Sequence, residues 1–136
     1  MRGLLPDMTV EEIDNLIAVL PMEQIRLMAP PSTGLIMVRV RDCFDTEFFL
    51  GEILVTRAEV GFGDQRAQAT LLGDCPQTTL IAAALAVLEA AGRSDWIKKA
   101  ATVYRSARRR IAQVRRSQQR LASATRVQFE SMAEKN

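Results

Sequence analysis

The chain has 136 residues, 48% of them apolar and 25% charged, which fits one folded domain and excludes a wholly disordered or a wholly membrane-embedded protein. It contains no histidine, which removes the usual general base near neutral pH, the Ser-His and Cys-His nucleophile pairs and the commonest zinc ligand. A net charge of +2 conceals an asymmetry: residues 97–126 carry ten of the eighteen bases and no acid, and the rest of the chain carries all sixteen acids.

In chain order, Thr9 and Glu12 have capping-box spacing, and Val10, Ile13, Ile17 and Leu20 recur at helical intervals until Pro21. These letters predict a short amphipathic helix. A turn is expected at Pro30-Pro31, followed by a strand over 34–40 that places Met37 in the core. A second strand is expected over 53–60. Gly61 to Asp64 predicts a tight hairpin turn, and 67–72 supplies a third antiparallel strand. Pro76 then opens a helix apolar almost all round, ending at Gly92. Ser94 or Asp95 is placed to cap a long basic helix over about 96–121, whose residues Ala100, Val103, Ala107, Ile111, Val114 and Leu121 form a narrow seam at near-heptad spacing, with Gln118 interrupting it. That seam reads as too thin for a core helix.

The expected class is therefore α+β, one domain. It comprises an N-terminal helix and linker (1–30), antiparallel strands (31–75), a buried and a long basic helix (76–122), and an extended, partner-binding tail (123–136).

Residues 1–20 hold Asp7, Glu11, Glu12 and Asp14 where a secretory signal would need an apolar core. The stretch 79–87 is shorter than the roughly 20 apolar residues of a membrane span. The expected location is the cytoplasm, with Cys43 and Cys75 reduced. Those two cysteines form no CxxC and predict no metal site. The acidic group Asp42, Asp45, Glu47, Glu52 and Glu59 matches no cation-binding loop and reads as turn residues pairing with Arg39, Arg41 and Arg57. The arginine run allows two readings. One is a nucleic-acid-binding or regulatory module, weakened by Trp96 and Tyr104 being the only aromatics there. The other, preferred, is a helix lying on an acidic partner or on the chain's own acidic surface.

Four segments together resemble a known family, the G subunit (PhnG) of the carbon-phosphorus lyase core complex. They are STGLIMV at 32–38, FLGEILVTRAEV at 49–60, LLGD at 71–74, and ATRVQF at 124–129 with Met132. The resemblance implies a cytoplasmic, hetero-oligomeric subunit that assembles with the H, I and J subunits (PhnH, PhnI, PhnJ) and works with the ATP-binding-cassette-like L protein (PhnL). In that family the I subunit, assisted by G, H and L, joins a phosphonate to the ribose C1 of ATP and displaces adenine; the J subunit, an iron-sulfur radical enzyme using S-adenosylmethionine, later breaks the carbon-phosphorus bond. The resemblance assigns no catalytic, cofactor-binding or metal-binding residue to this chain; ATP and phosphonate are used by the complex. The matching positions are Gly34, Gly51, Glu52, Thr56, Arg57, Gly73, Thr125, Arg126, Phe129 and Met132, with partner contact and shape as the implied roles. The chain departs from the family pattern at 42–48, where glycines and a base are usual, and at 68–70 and 73–75.

Overall fold

Thr9 opens helix α1 (Val10–Val19) with both halves of the capping box present: its side chain accepts the Glu12 amide, and the Glu12 carboxylate accepts the Thr9 amide. A 3-10 turn, Arg2–Asp7, precedes this helix and a shorter one, Met22–Gln24, follows it. The computed structural model describes residues 2–125. Three strands then form one antiparallel sheet in the order β1-β2-β3: β1 is Arg26–Arg41, β2 is Glu47–Phe62 and β3 is Gln65–Leu72. Helix α2 (Pro76–Ala90) and helix α3 (Ser94–Ala124) complete an α+β fold.

The first two strands are each 16 residues long, about twice the expected length. Pro30 and Pro31 lie inside β1 and do not form a turn. β1 is an edge strand, where a missing N–H costs no ladder bond, and the two prolines sit at a break in register between Ala29 and Ser32. Where a glycine-containing turn was expected, β2 and β3 are joined through Gly63 at φ +56°, with Phe62 paired to Gln65.

α2 is the centre of the molecule. On one side Ala83 and Val87 pack with Ala58 and Val60 of β2, against Ala67 and Ala69 of β3. On the other, Ile81, Ala82, Ala84, Leu85 and Leu88 meet Leu5, Ile13, Leu16 and Leu20, together with Ala100 and Tyr104 of α3. This layering, sheet on α2 on the α1/α3 pair, explains why α2 is apolar all round. Gly92, at φ +67°, ends the α2 segment as expected for a C′ residue. The start of α3 differs from expectation: the cap position is Arg93, with no side-chain cap bond, and Ser94 and Asp95 already lie within the helix.

α3 also corrects the reading of the thin seam. Ala100, Tyr104, Ala107 and Ile111 are buried within this chain, whereas Val114 and Leu121 are exposed. The helix continues through Ala124, so 123–124 is not extended. Thr125 is its C-cap, and residues 126–136 of the expected tail, with Arg126, Phe129 and Met132, lie outside the described residues.

Candidate partner-binding surface

Strand register divides the sheet into two faces. Thr56, Ala58 and Val60 of β2 turn toward α2 and are buried. β3 pairs with β2 only from Val55 to Phe62, so among the described strands the remaining half of β2 has β1 as its sole neighbour. There the two strands run on as a ribbon. The pairs Leu35–Leu54, Met37–Glu52 and Arg39–Phe49 continue the face that packs on α2 nearer the core; Ile36–Ile53 and Val40–Phe48 lie on the opposite face. Phe49 is 66% exposed, Leu35 61% and Met37 53%. Met37 is therefore not a core residue among the described elements, none of which covers the ribbon at its position. Large apolar side chains on both faces of an uncovered two-stranded ribbon are not what an independent monomer presents.

The ribbon is shaped by residues with specific backbone roles. Gly51 adopts φ +145° where the register slips: Val38 faces Gly51 and Arg39 faces Phe49, leaving Leu50 as the extra residue. At the tip, Asp42 Oδ1 accepts the amides of Phe44 and Thr46, both at 2.9 Å, and Asp45 takes φ +63°. Arg41 donates to Asp45 Oδ1 at 3.0 Å and Glu47 Oε1 at 2.7 Å, and Arg39 lies 3.3 Å from Glu47. These carboxylates are held by the ribbon's own arginines. Arg57 instead donates to Gln68 Oε1 at 2.6 Å. Among the described residues no group of three or more His, Cys, Asp or Glu side chains could hold a metal ion.

A second set of contacts anchors the base of the ribbon. Thr56 is 1% exposed, and its hydroxyl donates to the Gly73 carbonyl at 2.6 Å while accepting the Cys75 amide at 3.1 Å. Gly73, at φ +88°, donates its amide to the Leu54 carbonyl at 2.8 Å. Thr79 Oγ1 donates to the Cys75 carbonyl at 2.8 Å. The link from β3 to α2 is thus tied to β2 where β3 stops. Sequence reasoning did not find this role of Thr56; a threonine in an apolar strand, seventeen residues before a glycine, carries no periodic signal.

On α3, Arg110 Nε lies 2.8 Å from Glu12 Oε1, and Arg115 pairs with Asp7. The Arg110 guanidinium bond holds the Glu12 carboxyl below its ordinary value, outweighing the opposing effect of burial, with the Thr9 amide adding to the lowering. Part of the arginine run therefore lies on the chain's own acidic surface. A cleft between the first 3-10 turn and α3 is lined by Gly3, Leu4, Ala101, Tyr104, Arg105 and Arg108, a set with no carboxylate, thiol or amine.

The family model described as "Phosphonate metabolism protein PhnG" matches residues 1–134. The chain belongs to the PhnG family. A search of curated proteins found no match. Of the positions singled out by resemblance in the sequence, Gly34, Gly51 and Glu52 lie on the ribbon or its base and are exposed. Arg57 is also exposed, and Thr125 is the exposed C-cap of α3. Thr56 and Gly73 form the internal tie just described, so Thr56 shapes this chain's own fold and, at 1% exposed, presents no surface to a partner. As a PhnG protein the chain has a role in phosphonate metabolism. No described helix is long and apolar enough to cross a membrane.

Proposed function

We propose that this chain is a non-catalytic accessory subunit of the carbon-phosphorus lyase core complex. In that role it supports transfer of a phosphonate to the ribose C1 of ATP with displacement of adenine. Its partners are the H, I and J subunits, with the L protein, in the cytoplasm; ATP and phosphonate are bound by the assembly and not by this chain. The observation that carries the reading is the β1/β2 ribbon, apolar on both faces and covered by none of the described residues, in a protein whose family match spans residues 1–134. Burying such a ribbon between partner surfaces gives the apolar interface core of an obligate assembly. A chain without histidine also lacks the commonest means of moving protons near neutral pH.

Adenine release from ATP and a phosphonate tests the proposal. The complete assembly should release adenine, the assembly lacking this chain should lose most of that activity, and the chain alone should release none. Adenine release by the purified chain would overturn the accessory role. A nucleic-acid module is the weaker reading, because Arg110 and Arg115 of the basic run are already engaged by Glu12 and Asp7.

A further inference from the structure

α3 carries one continuous heptad seam, of which the described residues use only the first half. Its positions are Ala100, Tyr104, Ala107, Ile111, Val114, Gln118 and Leu121, spaced alternately four and three residues apart. The members through Ile111 are buried against the rest of the chain; Val114 is 44% exposed and Leu121 68%. Among the described residues the last anchor along the helix is the Arg115–Asp7 ion pair. Nine more helical residues follow, projecting about 14 Å at 1.5 Å per residue.

We propose that this projecting half of α3 docks an acidic amphipathic helix of a partner protein, with Val114 and Leu121 as its apolar anchors and Gln118 as the polar position that sets register. Charge chooses the occupant. Residues 111–125 contain Arg115, Arg116 and Arg120 and no acid, and neither Arg116 nor Arg120 forms an ion pair among the described residues. A second copy of this helix would bring two all-basic segments together, whereas a helix bearing Glu or Asp beside its apolar seam complements them. The apolar anchors distinguish this surface from a phosphate-binding one, which needs the arginines alone. The inference rests on the accessory-subunit reading for its biological setting, but not for its test.

The full chain is titrated with a fluorescently labelled heptad peptide having Leu at the seam and Glu at the flanking positions, and with the same peptide bearing Lys. Anisotropy at moderate salt should show the Glu peptide binding at least about tenfold more tightly than the Lys peptide. Val114→Asp/Leu121→Asp should lose that binding, with the far-ultraviolet circular dichroism and melting temperature of the variant verifying its fold. Val10→Asp, at an exposed apolar residue of α1, should bind as the parent does. Equal binding of the two peptides, no binding of either, or binding retained by the seam variant would overturn the proposal. So would self-association of the parent chain that the seam variant abolishes, or a duplex DNA or RNA probe that binds parent and seam variant alike and displaces the Glu peptide. None of these outcomes bears on adenine release, so failure here leaves the accessory role standing, and failure there leaves this docking surface standing.

Discussion

The Thr56 hydroxyl sits 2.6 Å from the Gly73 carbonyl, closing a bond between the middle of β2 and the residue that follows β3. It also receives the Cys75 amide, so one buried side chain satisfies two backbone groups at the point where the sheet narrows from three strands to two. Below this tie the sheet is held by α2; above it, among the described residues, the ribbon is supported only by its own ladder.

Thr56→Val keeps the shape and removes both bonds, leaving the Gly73 carbonyl and Cys75 amide without this partner. It should destabilise the chain by about 1–3 kcal/mol, and Thr56→Ser should recover most of that. Urea unfolding of the three proteins measures it; equal stability of the valine variant and the parent would contradict the role.

Gly73 and Gly34 should respond differently to alanine. A Cβ at either meets nothing within 4 Å, but Gly73 has φ +88° and Gly34 has no positive φ. Gly73→Ala should cost about 1–2 kcal/mol of backbone strain, and Gly34→Ala should leave stability unchanged or slightly raised. Thermal melts of the two variants distinguish these outcomes.

Glu12 couples the acidic head to the basic helix. Its pKa is lowered in the folded chain from an ordinary 4.5, so its contribution to stability is fully present above 4.5 and is lost as pH falls through the lower folded value. Glu12→Gln should therefore be less stable than the parent at pH 7, and the gap should close on acidification below 4.5. Urea midpoints across pH 2.5 to 7 are the measurement; a gap that widens toward low pH would contradict the assignment.

Much of the fold is legible in the sequence because local chemistry and tertiary environment agree there. The Thr9–Glu12 box, the Gly63 turn, the apolar α2 and its Gly92 terminus are each written in a few adjacent residues. The ribbon is different. Its alternation is masked because residues such as Leu35 and Ile36, neighbours on opposite faces, are both apolar, so no inside and outside can be assigned, and Pro30-Pro31 gives a turn signal that an edge strand overrides. α3 misleads in a related way. Ala100 and Ala107 look too small to anchor a core helix, yet their size lets α3 lie close to the rest of the chain, and Tyr104 between them supplies the bulk. The family was legible as matching letters, whereas the separate roles of Gly51 in the bulge and Thr56 in the tie depend on pairing that spacing does not reveal.

The most direct test of the accessory role is co-expression with the H, I and J subunits of the same genome, with a tag on this chain alone, followed by affinity purification and size exclusion at moderate salt. The parent should elute with its partners as one hetero-oligomer. Leu35→Asp/Phe49→Asp, altering two exposed ribbon residues, should run alone with an unchanged melting temperature. A parent chain that elutes alone, or a ribbon variant that assembles as the parent does, would contradict the account.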